Sequence, residues 1–453
     1  MKTDHEKRPS GIGRPVMSTP QVLFISGGIG LGHVTRDLAI AAELRARRPD
    51  LRMSWLAADP ARQVLLEAGE ELVAESEQYA GETPFAEELA GPFSLPLTNP
   101  AALFKSPRLV RGLLRLIRNQ KRNSALFTKL TDRQHFDLII ADEAYDLMLA
   151  VAFNPALKPA PLAMIFDFVG VDVTSRNPLE WLWVQIMSWW GVRLIKRFPR
   201  VFDLTLMVGE EADVADKPFG LFMANRRDLA RAIVKFVGYI CPFNPADYRD
   251  RVRLRQRLGY GPEPLVIGSI GGTAVGKALL ELCGRAHPCL KKQSPDLRMV
   301  LVCGPRLRPE TLNVPEGVER KGYVHRLFEH LAACDLAIVQ GGGTTTLELT
   351  ALRRPFLYFP LEKHFEQRSH VATRIERHRA GVRLEFSQTT PEALAAAVLA
   401  NMGAEVHYPP IATDGARRAA EYLIRLMDKT PERSSGAPGV RRQAEPTPAD
   451  GRE

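Results

Sequence analysis

Short apolar runs alternate with longer amphipathic segments along most of this chain. Gln21–Ser26, Met53–Ala57, Leu138–Ala141, Leu162–Phe166 and Thr205–Val208 read as strands of a first unit, and Leu265–Ile270, Met299–Cys303, Leu336–Val339 and Phe356–Phe359 as strands of a second. Helical patterns fill the intervals, which is the signature of an α/β fold. Residues 238–264 hold prolines, glycines and a charged helix over 249–258, and mark the boundary between the units. Each unit opens with a strand that feeds a glycine loop, Gly27-Gly28-Ile29-Gly30 in the first and Gly271-Gly272-Thr273 in the second. The expected architecture is two Rossmann-like domains, 20–240 and 241–428, facing a cleft at the carboxyl ends of their strands. Residues 1–19 and 429–453 are polar and are expected to be disordered tails.

Composition adds little except charge. The 453 residues are 45% hydrophobic and 25% charged, as in an ordinary globular protein, but the net charge of +9 favours an anionic partner: nucleic acid, anionic lipid or a phosphorylated substrate. The five cysteines form no CxxC pair, so buried free thiols in a reducing compartment are expected, and no metal site. The amino-terminal segment lacks the apolar core of a signal peptide, and no apolar run reaches the roughly 18 residues of a membrane span. A cytoplasmic location is the expectation.

The most informative segment is 336–372. A strand runs into Gln340-Gly341-Gly342-Gly343-Thr344-Thr345-Thr346, then a helix carrying Glu348. Glycines allow a phosphate close to the backbone, while threonine hydroxyls, free amides and the helix dipole offer donors and positive potential. Glu348, one turn further, could grip a vicinal diol such as a ribose. The same pattern also fits any strand-turn-helix junction of an α/β protein. Its spacing resembles the donor-binding segment of GT-B glycosyltransferases of the UDP-glucuronosyltransferase and murein N-acetylglucosaminyltransferase types. In that pattern His-Gly-Gly, a hydroxyl residue, Glu, a Gly-x-Pro strand, Pro and an Asp-Gln or Gln pair follow in order. Here they read Gln340, Gly341, Gly342, Thr346, Glu348, Arg354-Pro355, Pro360 and Glu366-Gln367. Gln340 replaces the histidine, and Val371 the asparagine usual before Ala372.

The resemblance implies a donor site for a nucleotide sugar, UDP-linked in the family's manner. Ser269, Gly271, Gly272 and Thr273 would meet the phosphates, the Val324 backbone the base, Glu348 the ribose, and Glu366 with Gln367 the sugar hydroxyls. It also implies an inverting, metal-independent transfer without a cofactor, the nucleotide sugar being a co-substrate, and a final helix over 413–427 that packs back on the first domain.

In the first glycine loop, a dinucleotide fingerprint would need a third glycine where His33 stands, so an NAD reading fails there. Gly28, Gly30, Gly32 and His33 instead resemble the Gly-x-Gly-His opening of GT-B enzymes, whose histidine faces the acceptor. At a helix start the ring is kept neutral and able to accept a proton; the alternative is a histidine that only caps the turn. Such a base needs an orienting partner. Asp142, at the end of the strand over 138–141, fits that role or that of a helix N-cap, with Glu143 and Asp167 in reserve.

Two segments of the first domain suit a membrane surface. Leu114 and Ile117 join Val110 and Leu113 on one face of a helix, and Arg108, Arg111, Arg115, Arg118 and Arg122 share another. Residues 179–198 hold Trp181, Trp183, Trp189 and Trp190 beside Arg193, Lys196 and Arg197. Solvated or buried helix faces are the competing accounts. No nucleic-acid module is evident. The reading is a glycosyltransferase acting on a hydroxyl acceptor that is lipid-linked, at the inner face of an anionic membrane. A nucleotide-sugar 2-epimerase and a non-catalytic membrane-binding scaffold on the same fold are the alternatives.

Overall fold

The computed structural model describes residues 19–27, 31–81, 107–174, 176–272, 274–362 and 364–429. Gly28, Gly30, Thr273 and the two tails beyond these limits lie outside the described residues, as do the side chains of Arg108, Val110, Arg111 and Leu113.

Six parallel strands form the first sheet: β1 (Gln21–Ile25), β2 (Arg52–Leu56), β3 (Leu138–Asp142), β4 (Leu162–Phe166), β5 (Leu204–Val208) and β6 (Lys235–Gly238), in the order β2-β1-β3-β4-β5-β6. The second sheet comprises β7 (Leu265–Ser269), β8 (Arg298–Val302), β9 (Val318–Lys321), β10 (Leu336–Gln340), β11 (Phe356–Phe359) and β12 (Val382–Arg383), in the order β12-β11-β10-β7-β8-β9. Every residue of β3, β4, β7 and β10 is buried, as strands covered by helices on both faces must be. Strands β6, β9 and β12 escape the apolar-run criterion for one shared reason. Each lies at a sheet edge and carries charge (Lys235; Glu319, Arg320 and Lys321; Arg383), which discourages further strand pairing.

Strand order reverses between β1 and β3 and again between β7 and β10. These are the switch points at which a doubly wound sheet leaves a crevice for ligands. Helix α1 (Leu31–Arg47) leaves the first crevice; α2 (Pro107–Arg133) and α3 (Pro178–Ile195) flank the first sheet's later strands. In the second half, α4 (Gly343–Ala351) leaves β10, and α5 (Ala372–Arg377) follows β11.

The last helix, α6 (Gly415–Lys429), belongs to the first core. Its Ala416, Ala419, Ala420, Leu423 and Met427, one stripe at helical spacing, pack with Val22, Val34, Ile40 and Leu44. The chain thus crosses between halves twice, and the crossings touch: the Gly415 amide donates to the Tyr239 carbonyl at 2.9 Å. A side chain on Gly415 would meet that carbonyl at 2.5 Å, so glycine is required. Beside it, the Tyr239 hydroxyl lies 2.8 Å from His378 Nε2 and 2.9 Å from Asp213, while Arg377 donates to Asp213 at 2.7 Å. These contacts join the halves and fix the cleft.

Candidate active site

The ends of β1 and β3 pass so closely that a side chain on Gly27 would stand 2.7 Å from the Asp142 carbonyl. His33, in the first turn of α1, is thereby brought against Asp142, with Nδ1 3.2 Å from Oδ2. Asp142 caps no helix: the helix Tyr145–Phe153 starts beyond it with Ala144 at its N-cap, which removes the N-cap alternative. Arg36 lies one helical turn after His33 and therefore on the same face. It grips Asp142 with two bonds (Nε to Oδ2, 2.8 Å; Nη2 to Oδ1, 2.5 Å), reaches Asp167 at the end of β4 (2.7 Å), and places Nη2 2.8 Å from His33 Nδ1.

Burial alone would raise the Asp142 pKa, but Arg36 and His33 outweigh it and hold the carboxyl well below its ordinary range. Asp167 is likewise pulled down against its own burial, chiefly by Arg36. Glu143 behaves oppositely. Burial, then the charge of Asp167, pushes its pKa well up. It also sits at φ 45°, in the left-handed region that side chains avoid, and its Oε2 lies 4.0 Å from His33 Nε2. Both reserve carboxylates therefore stand in the same cluster.

Across the cleft, buried Gln340 ends β10 and turns toward the second glycine loop: a side chain on Gly276 would meet its Oε1 at 3.1 Å. Gly341 and Gly342 make the turn, and α4 begins at Gly343. The first intrahelical bond is Thr346 N to Gly342 O, so the amides of Gly343, Thr344 and Thr345 have no acceptor within the helix. This helix start faces α1. Gly32 packs against the Thr344 side chain, and Gly272 against Leu31. Ser269 is buried at the end of β7, and Gly271 turns the chain at φ 74°.

Between the halves lies a small, partly open cavity. Thr35, Arg36 and Asp167 line it from the first half; Gly343, Thr344, Leu347, Glu366, His370, Val371 and Arg374 line it from the second. Glu366 to Val371 form a π-helical turn, a distortion that often marks functional sites. Burial and the nearby Asp167 push Glu366 up to about 7. Glu348 is buried on α4 near Cys241, and desolvation lifts its carboxyl to about 8.

Several expected donor contacts fall elsewhere. The Thr346 hydroxyl is buried and donates to the Gly342 carbonyl at 2.8 Å, so it cannot serve a phosphate. Gln367 Oε1 accepts from the Leu361 amide at 2.9 Å and braces the turn after β11, leaving only its amide nitrogen for a ligand. Val324 packs against the second core and does not line the cavity. Sequence reasoning missed Arg36 and Arg374. Arg374 is buried on α5, with Nε lacking a hydrogen bond and 3.7 Å from Asp213; its Nη1 is 3.9 Å from where a Gly343 side chain would start. The available signal was helical spacing: Arg36 follows His33 by one turn, and Arg374 lies just past the Glu366-Gln367 motif.

Comparison with known proteins agrees with this fold. Residues 266–413 match the glycosyltransferase family 28 C-terminal domain. An uncharacterized glycosyltransferase of Methanosarcina acetivorans is 26% identical over 82% of this chain and 87% of its own. The UDP-N-acetylglucosamine--N-acetylmuramyl-(pentapeptide) pyrophosphoryl-undecaprenol N-acetylglucosamine transferase of Carboxydothermus hydrogenoformans is 30% identical, but over 33% of this chain and only 42% of that enzyme. In fold, the chain is similar to the glycosyltransferase of kitacinnamycin (TM-score 0.53, 16% identity, 90% of this chain and 95% of the other) and to a spinosyn rhamnosyltransferase (0.50, 16%, 91% and 97%). With two parallel six-stranded sheets around one cleft, a second half similar to the family 28 C-terminal domain and a glycosyltransferase relative matched over 87% of its length, this chain is a glycosyltransferase of the GT-B fold.

Proposed function

We propose that the protein transfers a sugar, with inversion, from a UDP-linked donor to a hydroxyl of a lipid-linked acceptor, and needs no metal ion. One observation carries this reading: Arg36 and Asp167, which hold the Asp142–His33 pair, and Gly343 and Thr344 at the start of α4 line a single cavity, and Gly32 beside His33 packs against Thr344. The donor diphosphate would lie at the α4 start, where the amides of Gly343 to Thr345, the helix dipole and the Arg374 guanidinium stabilise the charge that develops on it. Glu348 would hold the ribose. Glu366, with a proton affinity that leaves it partly protonated near neutrality, would bond the sugar hydroxyls either as donor or as acceptor. His33 would take the acceptor proton as that oxygen attacks C1 from the face opposite the diphosphate, and Asp142 would steady the imidazolium. The UDP donor and the lipid-linked acceptor are supported by the activity for which the Carboxydothermus relative is named.

Calorimetry with UDP tests the donor side. Glu348→Ala should weaken UDP binding at neutral pH by about 0.5–1.5 kcal/mol, the worth of a hydrogen bond to a carboxyl that burial keeps largely protonated, with the fold unchanged. Equal affinity in the variant removes Glu348 from the site.

A lipid-linked acceptor requires access to a membrane surface, and α3 offers it. Its buried stripe is narrow (Glu180, Val184, Ser188, Val192), while Leu179, Trp181, Leu182, Ile186, Met187, Trp189 and Trp190 are exposed. Leu221 and the fully exposed Phe222 extend this patch from a loop tied to α3 by the Leu221 amide and Gln185, 2.8 Å apart. Arg193 stacks on Trp189 at 3.3 Å, joining cation to aromatic as at a headgroup layer. Exposed Leu114 and Ile117 on α2 add apolar surface. No helix among the described residues is long and apolar enough to cross a membrane, so the contact is peripheral. Phe222→Ser should cost about 1.5–3 kcal/mol of binding to anionic vesicles, the value of one buried aromatic side chain. High salt should weaken only the part contributed by basic residues. Wild-type protein that stays in the supernatant with vesicles in excess at low salt defeats the membrane reading.

A further inference from the structure

We propose that Arg36 is a positioning residue that holds His33 in the tautomer with its proton on Nε2. His33 then becomes a base only when Arg36 leaves Nδ1. The catalytic consequence rests on the glycosyl-transfer reading; the tautomer itself does not.

Two groups compete for one ring nitrogen. Arg36 Nη2 lies 2.8 Å from His33 Nδ1, and Asp142 Oδ2 lies 3.2 Å from it. A guanidinium has donors only and stays charged, so the shorter contact is a hydrogen bond only if Nδ1 carries a lone pair. Nη2 has two hydrogens, one for Asp142 Oδ1 at 2.5 Å and one for Nδ1. Asp142 Oδ2 already accepts from Arg36 Nε at 2.8 Å and so does not require a proton from the histidine. The opposite tautomer would set Nδ1–H against a guanidinium N–H. With Nδ1 as acceptor, the ring proton sits on Nε2 and faces the Glu143 carboxyl, 4.0 Å away. A base working through Nε2 needs the reverse arrangement, with Nδ1–H given to Asp142.

Arg36 is placed to move. Through Nη1 it is bonded to Asp167 at 2.7 Å, and both line the cavity beside Glu366 and Arg374. An anionic ligand there competes for the same guanidinium. Drawing Arg36 toward the cavity frees Nδ1 for Asp142, which links base activation to occupancy of the cleft.

Nitrogen-15 spectra of histidine-labelled, ligand-free wild-type protein read the tautomer directly, with the His33 signal identified by its loss in His33→Gln. The expected result is Nε2–H in the wild type and Nδ1–H in Arg36→Lys, which keeps the charge but loses the fork. Nδ1–H in the wild type overturns the proposal, as does Nε2–H in both proteins. If the lysine variant does not fold, Arg36→Met, which leaves Asp142 to accept from Nδ1–H, gives the same readout, and the wild-type spectrum alone still overturns the proposal if it shows Nδ1–H. Wild-type turnover in His33→Gln would defeat the base reading alone and leave the tautomer result standing.

Discussion

His33→Ala is expected to lower turnover by roughly 10²- to 10⁴-fold while UDP affinity stays nearly unchanged, the signature of a lost general base. The two effects separate because His33 stands on α1, whereas the donor would be held by α4 and the segment after β11. Deleting the ring removes a proton acceptor without disturbing the open amides at Gly343 to Thr345. Its side chain is only partly exposed, at 14%, yet it fills no core, so the stability loss should be small. Release of UDP from a panel of UDP-sugars with lipid extracts as acceptors measures turnover, and calorimetry with UDP measures the donor site. Wild-type turnover in the variant would make His33 a residue that only shapes the turn.

Such an experiment can be designed because much of the cleft is legible in the chain. The buried central strands declare themselves as apolar runs, and the glycine loops after β1 and β10 mark where those runs meet a crevice. Both switch points of the observed sheets coincide with those loops. The unread strands, β6, β9 and β12, are edges whose charge masks them. Within the site the division follows chemistry. Histidine beside glycines and glutamate after threonines are unusual enough to be noticed, so His33, Glu348 and the α4 start stand out in the chain. Arginine on a helix is usual, and nothing in its neighbours separates a solvated guanidinium from one buried between two carboxylates. Arg36 and Arg374 become visible only when the sheet brings β3, β4 and β5 beside them. Thr346 shows the converse limit, for a hydroxyl well placed in sequence is consumed by the helix backbone.

Because Arg36 is buried, removing its principal counter-ion should cost more stability than any other single change in this cluster. Asp142→Ala is expected to destabilise the fold by about 3 kcal/mol, the lower end of the range for stranding a buried charge, since Asp167 still holds Nη1. Asp142→Asn keeps the volume and one acceptor and should cost less, with turnover reduced because the imidazolium loses its counter-charge. The pH dependence has a definite sign. Asp142 has a folded pKa depressed below its ordinary 3.8, so its contribution is present above that value and is lost as pH falls toward the folded one. The gap in stability between wild type and Asp142→Ala should therefore be constant near neutrality and narrow only in strong acid. Urea unfolding at pH 7 and at successively lower pH measures both quantities. An alanine variant as stable as the wild type at pH 7 would mean that Arg36 finds water or another carboxylate, and that the buried pair with Asp142 does not hold the β1–β3 crevice together.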